Sequence, residues 1–113
     1  MNDYGKKILE EAGVKLGVAE GEIIALSKDA DPALSPFDKE ILTLSAKFIK
    51  DIREQDKTRE RAETLIKIRV FLEIIDNRLP RKSPSCKKLD DTILLINAAS
   101  TEIQLMRAFS EDE

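Results

Sequence analysis

Hydrophobic residues recur every three to four positions along most of this chain, the spacing that places them on one face of an α-helix. After Ser35, the side chains of Phe37, Ile41, Phe48 and Ile52 share a face, and mainly charged residues fall opposite them. No comparable stretch alternates with the two-residue period of a half-buried strand. The pattern therefore predicts an all-α protein.

The start of this helical segment carries its own signal. Ser35 and Asp38 have the spacing of a capping box, with Pro36 at the first helical position. The apolar stripe lapses over residues 53–61, which contain no glycine or proline. Two structures fit: one helix over 37–79, or a hairpin that folds back near Asp56–Thr58. We favour the hairpin, because so long a helix would leave its ends unpacked.

The segment from Thr58 to Leu79 is apolar on two faces. A separate ridge runs at i, i+4 and i+8 through Ile66, Val70 and Ile74. Such side chains are stabilised by burial and promote aggregation when exposed together, so both faces require neighbours. In a monomer the ridge would contact the N-terminal helices or the last helix; in an oligomer it would contact a second copy. We favour a homo-oligomer with this ridge as its interface. The broad face on the other side consists of Leu65, Ile68, Phe71, Leu72, Ile75 and Leu79.

A basic loop with two prolines, over 78–88, separates this segment from a last amphipathic helix. Ser85 is placed to cap that helix, and we expect Cys86 to be exposed in the loop. The helix itself is predicted from the heptad-like spacing of Leu89, Ile93, Ile96, Ser100 and Ile103.

Three glycines punctuate the first part of the chain at four-residue spacing: Gly13, Gly17 and Gly21. Glycine weakens any helix that it interrupts. We therefore predict a first helix near Asp3–Ala12 and a second near Ala19–Lys28. The whole chain, 1–113, is then a single helical domain of about five helices: an N-terminal helix pair over 1–34, followed by an antiparallel three-helix bundle over 35–113.

This glycine segment, AGVKLGVAEGEIIALSKD over 12–29, resembles a helix-turn-helix motif. Gly13 is the small residue of the first helix, Leu16–Val18 is the turn, and Ile23 and Leu26 point inward. The resemblance covers under a fifth of the chain and implies that the second helix contacts DNA.

The residues at the outward positions of that second helix are of types poorly suited to contacting DNA. They include Ala19 and Glu20, with Glu22 nearby, where a reading helix carries arginine, lysine or amide side chains. Lys28 is the one residue there that could neutralise a phosphate. We therefore interpret the segment as packing helices and keep nucleic-acid contact through Lys28 as the alternative.

Composition narrows the function mainly by what is missing. The chain has 113 residues, no histidine and one cysteine, Cys86. Histidine is the commonest general base and transition-metal ligand, and one thiolate cannot form a metal cage. No glycine-rich phosphate loop or nucleophile motif occurs either. We predict no catalytic, cofactor-binding or metal-binding residues and no enzymatic activity.

Charge and hydropathy complete the expectation. The net charge is −3, and the one basic cluster lies in the loop that holds Arg81, Lys82, Lys87 and Lys88. No apolar run reaches the length of a membrane span, and we expect a cytoplasmic protein. The sequence favours a non-enzymatic helical protein–protein interaction module, such as an adaptor, assembly factor, immunity protein or inhibitor. The alternative is a helix-turn-helix regulator that dimerises through its bundle.

Overall fold

A computed structural model describes the backbone of residues 3–54 and 58–109, and side chains within 4–54 and 60–105. Within these ranges every regular element is an α-helix, which confirms the predicted all-α class. The helices are α1 (Asp3–Ser27), α2 (Pro36–Glu54), α3 (Thr58–Arg78) and α4 (Pro84–Phe109). The described part of the chain thus has four helices, where the sequence pattern predicts about five.

The four helices form an antiparallel bundle of 47 × 20 × 19 Å. α1 packs against α2 and α4, and α3 packs against the same two helices. Among the described residues, the diagonal pairs α1–α3 and α2–α4 are not in contact. Each helix therefore has two neighbours and one outward face.

The predicted N-terminal helix pair is wrong, because α1 is continuous through all three glycines. None of its glycines adopts a positive φ. Each glycine costs about 1 kcal/mol relative to alanine in a helix interior. The apolar stripe, however, runs without interruption through Ala12, Leu16, Ala19 and Ile23, all of which are buried. Burial of that stripe in the bundle outweighs the local preference of glycine for a turn.

The hairpin between α2 and α3 is confirmed, since the helices end at Glu54 and begin at Thr58; the connection itself, 55–57, lies outside the described residues. The predicted capping box is also present at the start of α2. The Asp38 N–H donates to Ser35 Oγ at 3.0 Å, and the Ser35 N–H donates to Asp38 Oδ2 at 3.0 Å. Two backbone donors are satisfied by this exchange.

The inward face of α2 is rotated relative to the predicted stripe. Leu42 and Ile49 are fully buried, whereas Phe37 is exposed. Ile41 and Phe48 are only partly buried against the core. The difference arises because α2 lies between α1 and α3, so that its buried arc is centred one residue away from the stripe.

The last helix begins earlier than predicted. Ser83, not Ser85, provides the N-cap: its Oγ accepts the Ser85 N–H at 3.3 Å, and Pro84 occupies the first helical position. This places Cys86 in the first turn of α4, on its inward side, where it is buried and not exposed.

Candidate interaction surfaces

The ridge predicted from the sequence lies on the outward face of α3. Ile66, Val70 and Ile74 are 41%, 42% and 49% exposed. Of the two alternatives, the one in which the N-terminal helices or the last helix of the same chain cover the ridge is not observed. Both neighbours of α3 contact its opposite side, where the side chains Leu65, Ile68, Leu72 and Ile75 are fully buried.

Charged groups border the ridge. Arg69 Nε lies 3.7 Å from Glu73 Oε1, the predicted i,i+4 pair, and both side chains are close to half exposed. A shallow groove next to it is lined by Glu73 and Asn77 of α3 together with Ile93 and Leu94 of α4. Leu94 is also exposed, so the apolar surface extends from α3 toward α4.

A groove opens beside α1, and residues of all four helices contribute to its lining. The groove, of about 660 Å³, runs beside Gly13 and Gly17, with Val14 and Val18 also in its lining. Val14 is 68% exposed. We call this surface the glycine groove. Its remaining lining residues are Leu9, Glu10, Ala12, Leu16, Ile52, Arg53, Arg61 and Ile103.

The bundle itself does not require glycine along this face. A Cβ added at Gly13 or at Gly21 would meet no atom within 4 Å. At Gly17 it would lie 3.5 Å from the Arg53 guanidinium carbon, an ordinary van der Waals distance. The four-residue spacing predicts a turn, but in the structure all three glycines lie within α1, and Gly13 and Gly17 line this groove.

Two arginines line the groove. Arg53 NH1 donates to Glu20 Oε1 at 3.0 Å, across the α1–α2 contact. Arg61 Nε is buried and has no hydrogen-bond acceptor among the described residues. A buried donor without a partner costs about 1–3 kcal/mol, so a carboxylate or carbonyl that entered the groove would relieve this cost.

The helix-turn-helix motif predicted from the sequence requires a turn within 12–29, but α1 is continuous to Ser27. Leu16–Val18, the proposed turn, lies within the helix. Ala19, which the motif would direct toward DNA, is fully buried. Lys28 is exposed just beyond the end of α1, where its N–H donates to the Ala25 carbonyl at 3.2 Å.

A polar cluster links the end of α3 to the start of α4. The Cys86 thiol donates to Asp76 Oδ1 at 3.4 Å, and Asp90 Oδ2 lies 3.9 Å from Cys86 Sγ. Burial raises the pKa of Asp76, and a hydrogen bond with Asp90 raises it further. Burial and the Asp76 contact also raise the pKa of the Cys86 thiol.

The same three side chains have the ligand types that a cation could use, with donor atoms within 4.8 Å of one another. Arg81 already neutralises them: its guanidinium lies 3.6 Å from Asp76 and 3.9 Å from Asp90. A thiol with a raised pKa remains protonated and is a poor ligand and nucleophile. We therefore interpret the cluster as a set of polar contacts that hold the end of α3 against the start of α4.

Hydrogen bonds of Asp31 and an ion pair of Asp38 connect parts of the bundle that are distant in the chain. Asp31, in the α1–α2 connector, accepts hydrogen bonds from the hydroxyls of Ser83 and Ser85, the latter at 2.7 Å. These bonds, with the Ala33 N–H, lower the pKa of Asp31 to about 2. Arg78, at the end of α3, pairs with the buried Asp38 at the start of α2.

The described helices thus define a four-helix bundle in which each helix exposes at least two large apolar side chains. Comparison with known proteins finds no family model, curated protein or solved structure that matches this chain. Within the described residues, none of the helices combines the length and the apolar character needed to cross a bilayer.

Proposed function

We propose that this protein is a non-enzymatic protein–protein interaction module that self-associates through the α3 ridge. The observation that supports the proposal is the exposure of three β-branched side chains on successive turns of one helix, opposite a fully buried face. Scattered exposed apolar residues are ordinary on a protein surface, whereas a contiguous set marks a contact site.

The energetic argument rests on the surface still exposed. Complete burial of an isoleucine or valine contributes about 1.5–3 kcal/mol relative to full exposure. Ile66, Val70 and Ile74 are each less than half exposed, so covering them contributes about 1 kcal/mol per side chain. The charged residues that border the ridge, such as Arg69 and Glu73, would form the polar rim and restrict which surfaces can pair with it.

Sedimentation velocity over a wide concentration range tests the proposal. The wild-type protein is expected to associate, and Val70→Glu is expected to remain monomeric with unchanged helical circular dichroism. Leu44→Glu is the matched control, because Leu44 is 46% exposed on the outward side of α2. A wild-type protein that stays monomeric at high concentration would refute the proposal.

A titration with fluorescently labelled duplex DNA at low salt separates this proposal from the DNA-binding alternative. We expect no saturable change in polarisation. Binding that weakens steeply with added salt, as phosphate contacts require, and that is lost in Lys28→Glu would favour the alternative.

A further inference from the structure

The outward row of α3 is nearly symmetric about Val70. Ile66 and Ile74 lie four residues to either side of it, and Glu63 and Asn77 lie seven residues to either side. All five side chains are exposed, and residues at these spacings share one face of a helix. A row of this kind can face a reversed copy of itself with each apolar residue opposite an apolar residue.

A two-fold axis at Val70, perpendicular to α3, produces such a reversed copy. It sets Ile66 opposite Ile74 of the second copy, so that the apolar part of the row is covered from end to end. It also sets the Glu63 carboxylate opposite the side-chain amide of Asn77, which can donate a hydrogen bond to it. If the two copies of α3 ran parallel, Glu63 would face a second Glu63, and the two like charges would repel.

The charged residues along the two edges of the row favour the same direction. Glu73 and Arg69 lie on the edge next to α4, where Glu73 lines a groove with residues of that helix. Lys67 lies on the other edge, three turns before Arg78, which pairs with Asp38 of α2. In an antiparallel pair equal edges meet, and Glu73 of each copy comes beside Arg69 of the other. In a parallel pair opposite edges meet, and Lys67 comes beside Arg69.

The Arg69 guanidinium has donor capacity left for this contact. Its Nε is buried, lies 3.7 Å from Glu73 Oε1 of the same helix and has no hydrogen-bond acceptor among the described residues. In the antiparallel pair the two guanidinium groups lie between the two Glu73 carboxylates. The four groups together carry no net charge, so the edge is electrostatically self-complementary.

We propose that two copies of this protein pair through α3 in antiparallel orientation, about a two-fold axis at Val70. The inference rests on the proposed self-association and specifies its symmetry. Because both copies use the same surface, the contact is isologous and closes at a dimer. One row of side chains is a small interface, and the dimer belongs to the weak, reversible class of associations.

Disulfide cross-linking measures the direction of pairing. Ile66→Cys and Ile74→Cys are each made with Cys86→Ser, which keeps a hydroxyl donor toward Asp76. In the antiparallel dimer the two copies of position 66 are about 12 Å apart along the helix, since eight residues separate 66 from 74. A disulfide requires Cα atoms within about 7 Å of each other. We therefore expect the equimolar mixture to form 66–74 links at least about ten-fold faster than either variant links alone.

The matched control is Thr43→Cys with Cys86→Ser. Thr43 is exposed on α2, so its cross-linking measures random collision between copies. Circular dichroism verifies that every variant is folded.

Charge reversal measures the contribution of the α4 edge. Arg69→Glu and Glu73→Arg each set like charges across the antiparallel contact, so each variant alone is expected to dimerise about five-fold more weakly than wild type. Their mixture restores opposite charges at both contacts and should form the heterodimer preferentially. Lys47→Glu mixed with Glu40→Arg is the control, since these exposed residues of α2 give the same two net charges and should show no preference.

The outcomes separate this inference from the proposed function. If the mixed cysteine variants link no faster than the single variants, but all link faster than Thr43→Cys, the ridge is the contact and the antiparallel geometry is wrong. A stronger association of Arg69→Glu would likewise indicate parallel helices. If none of these variants links faster than Thr43→Cys, or if the wild type is monomeric throughout, the proposed function fails together with the inference.

Discussion

The outward faces of α1 and α3 differ in shape although both repeat every four residues. On α1 the repeat is glycine, and the surface beside it is a groove. On α3 the repeat is isoleucine and valine, and the surface is a ridge. The comparison shows that the same helical period gives different surfaces when the repeated side chain is absent, as at Gly13 and Gly17, or branched, as at Ile66 and Val70. It also shows that a glycine repeat need not end a helix when the inward stripe continues.

The largest change in the free energy of unfolding is expected from a substitution on the buried face of α3, compared with the same substitution on its exposed face. Ile68 is fully buried and Ile66 is 41% exposed, and the two residues are chemically identical. Ile68→Ala is expected to lower the free energy of unfolding by about 2–5 kcal/mol, as for other buried isoleucines. Ile66→Ala should lower it by less than about 1 kcal/mol.

Urea denaturation at low protein concentration measures both values, since association then does not add to stability. Equal decreases in the free energy of unfolding for the two variants would show that the ridge is covered within one molecule. The two faces of α3 would then not differ in burial.

The next largest effect tests the continuity of α1. Gly17→Pro removes a backbone donor in the helix and clashes with the preceding turn, so we expect a loss of about 3 kcal/mol. Gly17→Ala is the control and should not destabilise, since its Cβ meets Arg53 at an ordinary distance. Thermal unfolding followed by circular dichroism reports both. A turn at this position would instead tolerate proline. A decrease of less than about 1 kcal/mol in the free energy of unfolding would therefore support the predicted pair of short helices over one continuous α1.

A smaller effect measures the cost of the glycine repeat. Gly21→Ala is expected to raise the free energy of unfolding by about 0.5–1 kcal/mol, because alanine favours the helix and nothing lies within 4 Å of its Cβ. The reciprocal change, Ala25→Gly, lies at an exposed position one turn later and should lower it by the same amount. If Gly21→Ala destabilises the monomer, glycine has a structural role in α1 itself.

The smallest effect concerns the end of the bundle where α1 and α3 both stop. The pKa of Asp31 falls from 3.8 to about 2 through its hydrogen bonds with Ser83 and Ser85. A depressed carboxylate pKa adds stability that is complete above the unfolded value and is lost as the pH falls through the folded value. Asp31→Asn should therefore flatten the decline in stability between pH 4 and pH 2. Denaturant titrations across this range test it, and parallel curves for the two proteins would contradict it.

Local signals in the sequence predicted much of the fold correctly. The capping box of Ser35 and Asp38, the hairpin after α2 and the inward face of α3 all depend on neighbours close in the chain. The N-cap of α4 was missed because the role of Ser85 is set at a distance: its hydroxyl donates to Asp31, 54 residues away.

Two features of the candidate surfaces could not be read from periodicity. The glycines of α1 weaken a helix locally, but Leu16 and Ala19 are buried by other helices, and tertiary burial outweighs propensity. Exposure of Val70 depends on where the neighbours of α3 lie. An apolar row indicates that a contact is favourable, but not whether a helix of the same molecule provides it.

The extensive packing of α1 against α4 has a consequence for the order of folding. These two helices are separated along the chain by the whole of α2 and α3, so their contact closes the longest loop in the bundle. Closing a long loop costs more chain entropy than closing a short one. We therefore expect the α2–α3 hairpin to form before the α1–α4 interface.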